Sequence, residues 1–296
     1  MRAHTIVFQT IRLIHVQDKF PFHPNHPYRP RKADLDDLLA FQRKQGIPHS
    51  CLVAFSVYYT DNSSILDGLR RLGGKGRAVV CIDPESVTEK ELQELHEAGA
   101  RAIRLNLRTR GQRLDKHEFE RLLTVNAKRI SKYGWAIQLY VSLDQIPELA
   151  DVIPTLEVPV VIDHIAHPEP SKGPVQQQKG YREFLDLLKS KQIWTKLSGT
   201  YRFECLQGLE NYVREILRIA PDCVVWASDW PHSGGVGANP GGDRNAIQEY
   251  RRIDDQAWVA RCKAWCRDVE GGKGEKLIRK IWVDNPRRLW QYDHDD

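Results

Sequence analysis

No stretch of the sequence approaches the ~20 consecutive apolar residues that a membrane-spanning helix needs. The opening MRAHTIVFQTIRLIHV lacks the cationic start, apolar centre and small-residue cleavage site of a secretory signal. A soluble, cytoplasmic protein is therefore expected. Blocks of like charge are also missing. The 44 Lys and Arg are interleaved with 39 Asp and Glu, leaving a net charge of +5. A nucleic-acid face needs its cations clustered, so the expected partner is a small anionic molecule, with neither nucleic acid nor membrane. No Gly-x-Gly-x-x-Gly follows the first strand-like run, which argues against dinucleotide binding. There is no linker composition and no internal repeat, so the 296 residues are read as one domain, 1–296. Cysteine offers little. Cys51, Cys81 and Cys223 fall in strand-like runs, where a small buried thiol is ordinary. Cys262 and Cys266 lie four apart on a helix-like stretch with no further ligands at zinc spacing.

What is present is alternation. Apolar, β-branched runs occupy residues 5–15, 50–57, 77–82, 102–107, 135–142, 159–165, 193–198 and 224–228. Amphipathic stretches at 35–45, 64–72, 88–98, 118–132 and 181–191 lie between them. Near-continuous apolar strands separated by helices imply parallel pairing buried on both faces. Eight of them predict an α/β fold of the distorted (β/α)₈ TIM-barrel type. Thr88 with Glu91 reads as a capping box and Gly99 as the stop of the same helix. The glycine-rich run HSGGVGANPGGD follows the eighth strand and is expected at the catalytic rim. FPFHPNHPYRP carries prolines at 21, 24, 27 and 30 and cannot be a regular helix. It is read as a lid over the barrel mouth.

The strands end on polar residues: His15, Arg104 with Asn106, Gln138 with Tyr140, Asp163 with His164, Lys196 with Ser198, and Asp229. Members two apart on a strand share a face. A buried ionisable group without a partner is costly, and the C-terminal strand ends of a (β/α)₈ barrel carry its chemistry. One Asp or His alone is more often structural. The conjunction of His15, His164 and Asp229 on strands one, six and eight is harder to dismiss. Asp229 suits a general base toward water, and the histidines suit carbonyl polarisation or metal binding. Arg104 interrupts an otherwise apolar strand. With the loop residues Arg110 and Arg202 it suits fork-like recognition of a carboxylate.

In their order and spacing, DKFPF, CIDPESVTEKELQELHEAGARAIRLNL, WAIQLYV, VPVVIDHIAHP, KLSGTYR, WASDWPH and DNPRRLW resemble the amidohydrolase superfamily, in its amidohydrolase-related branch of pyrone-dicarboxylate lactonases, sugar lactonases and decarboxylases. The resemblance implies a distorted barrel and hydrolysis, with Asp229 activating water and His164 as the strand-six histidine. It implies Arg104, Arg110 and Arg202 as carboxylate ligands, and Tyr28 and Tyr140 as pocket tyrosines. His167 stands where a further family arginine is expected, and Lys196, Ser198 and His232 are assigned to substrate binding beside it. The family's His-x-His aligns with Leu13-Ile14-His15, and leucine cannot coordinate a metal.

The expected activity is therefore metal-independent opening of a carboxylated lactone, with catalytic Asp229, His164 and His15 and no cofactor. One alternative is an aromatic-acid decarboxylase holding one Zn or Mn at His15, His164 and Asp229. Another is a non-catalytic barrel that binds carboxylated ligands.

Overall fold

The computed structural model describes residues 8–12, 19–108, 113–203, 208–269, 271 and 274–292. Eight parallel strands form one sheet in sequence order. They are β1 (Phe8–Arg12), β2 (His49–Val53), β3 (Gly76–Val80), β4 (Ala100–Leu105), β5 (Ala136–Leu139), β6 (Val160–Ile162), β7 (Ile193–Leu197) and β8 (Val224–Trp226). The first strand also contacts the last, so the sheet curls round on itself. The distortion is visible between β3 and β4, where the register shifts at Ala78/Val79. Most strands are shorter than their apolar runs, because the run continues into the turn beyond the strand.

A helix follows each strand. The helices are α1 (Leu35–Gln45), α2 (Ser63–Leu72), α3 (Glu89–Ala98), α4 (Lys116–Ile130), α5 (Ile146–Leu149), α6 (Tyr181–Lys189), α7 (Leu209–Ile219) and α8 (Asp255–Val269). The local signals work as expected. The Thr88 side chain accepts from the Glu91 amide, and Glu91 reaches back to the Thr88 amide. Gly99 stops α3 at φ +114°, in the left-handed region. Asp34 with Asp37 and Asp115 with Glu118 make the same box at α1 and α4. None of the helices is long and apolar enough to cross a membrane among the described residues.

Alternation sorts side chains into two cores. Outward residues of the strands, such as Leu52, Ile103, Ile137 and Ile162, pack against the helices. Inward ones, Cys51, Val79, Ala102, Ala136, Val161 and Val225, fill the barrel. The far end is closed by the segment that follows α8. Leu289, Trp290 and Tyr292 join the interior cluster, and the Arg77 guanidinium lies 4.0 Å over the Tyr292 ring. The Asn285 amide fixes that segment by donating to the carbonyls of Pro221 (2.8 Å) and Val224 (2.7 Å). The DNPRRLW motif is thus a plug for the barrel floor.

One layer above the apolar fill lies a buried polar triad. Lys196 Nζ donates to Gln138 Oε1 at 2.6 Å and sits 3.2 Å from Asp163 Oδ1, while Gln138 Nε2 donates to Asp163 Oδ2 at 2.9 Å. Lys196 and Asp163 are almost wholly excluded from water. Burial pulls the Lys196 ammonium below the ordinary lysine range, and Asp163 opposes that shift.

Candidate functional site

The mouth of the barrel is built from strand ends with unusual backbone. After β6, His164, Ile165, Ala166 and His167 all have positive φ (52°, 49°, 59° and 47°). Asp229, beyond β8, has φ +58°. Non-glycine residues in this region each cost on the order of 1 kcal/mol, and such strain collects where function holds a side chain in place. The coil after β6 turns both histidines toward the mouth.

His164 and Asp229 are brought together. The His164 Nδ1 shares a hydrogen bond with Ser198 Oγ at 2.8 Å, and its Nε2 lies 3.9 Å from Asp229 Oδ2. The Tyr140 ring meets the His164 ring edge-on at 5.0 Å. Asp229 Oδ2 also accepts from the Tyr201 hydroxyl and from Arg202, whose Nε and Nη2 lie at 2.8 and 2.7 Å. The Arg202 side chain is largely buried. Burial alone would make its charge harder to hold, and Asp229 more than offsets this, raising its pKa well above the ordinary arginine value.

Gly199 makes this packing possible. It has φ +71°, and a Cβ there would lie 2.9 Å from His164 Nδ1 and 3.0 Å from Arg202 Cδ. Glycine is therefore required both by conformation and by space.

The mouth opens into a cavity of about 780 Å³ lined by Tyr140, His167, Arg108, Arg202, Arg251 and the glycine-rich 234–237 turn, with Pro27 and Tyr59 on its rim. The rim position expected of the glycine-rich run is observed. The proline-rich segment also reaches this rim, through Pro27. It contains no helix, and its Arg29–Pro30 pairs in parallel with Ile247–Gln248. Tyr140 Oη lies 3.3 Å from His167 Nδ1. Burial, aided by Arg108, His164 and Arg202, lowers the His167 pKa to about 2, so the imidazole is neutral.

Other expected site residues stand elsewhere. Arg104 is buried, and its Nη1 donates to the Ala54 carbonyl at 2.8 Å and to Ser56 Oγ at 3.3 Å, just past the end of β2. Asn106, on the same face, donates to the same Ser56 hydroxyl. Lys196 belongs to the interior triad, and Ser198 orients His164. Tyr28 is buried edge-on against Phe55 at 5.6 Å in a cluster with Phe20 and Tyr58, away from the cavity lining. His232 faces away from this cavity, with its Nε2 3.0 Å from Asp255 Oδ2 at the start of α8. His15, Leu13 and Arg110 lie outside the described residues.

Three residues at the site escaped the sequence reading. Tyr201 sits beside Arg202 in the KLSGTYR motif, which was a usable signal. Arg108 lies two residues past a strand-end asparagine. Arg251 had no signal, because it reaches the mouth from a loop distant in sequence.

Of the three residues considered for a metal, His164 and Asp229 are described and His15 is not. Among the described residues no three His, Cys, Asp or Glu side chains converge as a metal site. Asp229 already faces the fixed cation Arg202, which opposes a second positive charge at the same oxygen.

Known proteins resemble this chain over most of its length. The amidohydrolase family model matches residues 10–291. The chain belongs to that family. It is 32% identical over 286 residues to the 2-pyrone-4,6-dicarboxylate hydrolase of Comamonas testosteroni, covering 92% of this chain and 86% of the relative. The 4-sulfomuconolactone hydrolase of Rhizobium radiobacter is 30% identical over 278 residues, with coverage of 92% and 85%. The fold is shared with a candidate 2-pyrone-4,6-dicarboxylic acid hydrolase structure from Pseudomonas putida, at TM-score 0.78 and 24% identity over 98% of both chains. A related structure from Acinetobacter baumannii, with citric acid bound, gives TM-score 0.75 at 20% identity over 97% of this chain and 99% of that one. The expected family and barrel are thus borne out.

Proposed function

We propose that this amidohydrolase opens a carboxylated lactone by general-base hydrolysis and requires no metal. The observation that carries the reading is the arrangement of Asp229 beside His164 and beside Arg202, which lines the cavity. The named activities of the relatives above agree with it. Asp229 takes a proton from water, and the hydroxide adds to the ring carbonyl carbon. His164, held by Ser198, donates toward the oxyanion that forms, and His15 is assigned the same task. The carbon to ring-oxygen bond then breaks, and Asp229 returns its proton to the departing oxygen. Net uptake is one water, and the product is an open-chain acid.

Arg202 couples recognition to this step. It lies on the general base and on the cavity wall at once. A substrate carboxylate competes for its guanidinium fork and draws part of it from Asp229, which leaves the aspartate more basic when substrate is seated. Arg110 and Arg104 are kept as candidate supporting cations. Tyr140 and His167 offer neutral hydrogen bonds to the same ligand.

The test is hydrolysis of 2-pyrone-4,6-dicarboxylate, followed by loss of pyrone absorbance with and without chelator. Asp229→Asn is expected to lower turnover by about 10²–10⁴-fold, the usual contribution of a general base. An Asp229→Asn enzyme with wild-type turnover would overturn the mechanism, and activity abolished by chelator would overturn metal independence.

A further inference from the structure

The cavity at the mouth is lined by three arginines whose charges are differently engaged. Arg202 faces Asp229. Arg108 faces Glu169 at 3.7 Å. Arg251 donates from Nη1 to the Tyr201 carbonyl at 2.9 Å and has no carboxylate partner among the described residues. A carbonyl satisfies one of its five donors and leaves the charge uncompensated. Arg251 is nonetheless held in place. Its backbone amide donates to the His232 carbonyl at 3.2 Å, and its guanidinium carbon lies 5.3 Å from the Tyr201 ring centroid. The Arg202 guanidinium lies 4.9 Å from that same ring. One tyrosine therefore spaces two cations, one deep at Asp229 and one on the exposed rim.

From this arrangement we infer that Arg251 is the second anion-binding residue of the site, taking a carboxylate or sulfonate of a dianionic substrate whose first carboxylate lies on Arg202. The inference rests on the lactonase reading for the identity of the first contact. The alternatives on the same wall are weaker. Arg108 already faces an acid, which repels an incoming anion. His167 is neutral and offers a hydrogen bond without charge. The facing turn contributes Gly234, Gly235 and Gly237, which leaves width for a second acidic group. The cavity volume, about 780 Å³, lies within the range that small-molecule sites occupy. A guanidinium fork suits carboxylate and sulfonate alike.

Calorimetric titration of the full chain with benzene-1,3-dicarboxylate, 3-sulfobenzoate and benzoate tests this without turnover. Wild-type protein is expected to bind the two dianions more tightly than benzoate. Arg251→Ala is expected to weaken both dianions on the order of tenfold to a hundredfold, the worth of a hydrogen bond to a charged group. Benzoate affinity should shift less than about twofold, and Arg251→Lys should fall between for the dianions. The inference is overturned if wild-type protein prefers neither dianion over benzoate, or if Arg251→Ala weakens all three equally or none. A protein that binds the dianions through Arg251 but does not open the pyrone dicarboxylate would overturn the lactonase reading and leave the Arg251 assignment standing. Thermal unfolding of the Arg251 variants checks that the fold is kept.

Discussion

Substituting Gly199 by alanine perturbs the site at the one point where two functional side chains close over bare backbone. Two costs are separable. The first is conformational: Gly199 has φ +71°, a region that costs an L-residue about 1–2 kcal/mol. The second is spatial. The new methyl would sit 2.9 Å from His164 Nδ1 and 3.0 Å from Arg202 Cδ. His164 cannot retreat easily, because Ser198 holds its Nδ1 and Tyr140 packs against its ring. Overpacking of this kind costs about 1–3 kcal/mol more. Gly46→Ala supplies the control. Gly46 caps α1 at φ +66°, and a methyl added there would meet nothing within 4 Å, so it carries the conformational cost alone. Urea unfolding of both variants should show about 1–2 kcal/mol lost at Gly46 and about 2–5 kcal/mol lost at Gly199. Steady-state hydrolysis should be unchanged at Gly46. At Gly199 it should fall at least about tenfold, since a displacement near 1 Å in a positioned group costs up to about 10²-fold. Equal losses of stability and activity in the two variants would refute the claim that Gly199 exists to seat His164 and Arg202.

Lys196→Met strands Asp163 in the barrel interior and is expected to cost about 3–5 kcal/mol in urea unfolding. Adding Asp163→Asn should recover a large part of this, and a single-variant loss below about 1 kcal/mol would contradict a tight buried pair. His167 stays neutral when folded down to about pH 2, whereas its unfolded form protonates below its ordinary pKa of 6.5. The unfolded state then binds more protons, so this group's stability contribution is complete above pH 6.5. It is lost as pH falls, by at most about 1.4 kcal/mol per unit. His167→Gln should remove that part of the acid sensitivity, narrowing the wild-type advantage by about 2 kcal/mol between pH 7 and pH 5. Ser198→Ala frees the His164 ring, so turnover should fall several-fold with KM little changed, in line with the ~1 kcal/mol of a neutral hydrogen bond. A changed KM with constant turnover would instead place Ser198 in substrate binding.

The barrel was legible in the order of residues alone. Eight apolar runs of the right length, separated by amphipathic stretches, leave parallel pairing as the way to bury them all. Local signals such as Thr88 with Glu91 and Gly99 act over three or four residues, so they survive unchanged into the structure. The strand-end pairs were legible for the same reason, because a period of two sends Arg104 with Asn106, Gln138 with Tyr140, and Lys196 with Ser198 to one face. Side-chain partners were not legible. Strand period assigns the inward face but not the partners, so Arg104 and Lys196 looked like free cations at the mouth and are spent on buried neighbours. The turn of the coil after β6 through four left-handed residues emerged from the folded chain, as did the gathering of Tyr201 and Arg202 around Asp229 and the contact of Arg251 with the Tyr201 carbonyl. Those contacts join loops far apart in the chain, where no periodicity links one residue to the next. Close packing decides them, and packing is a property of the folded whole.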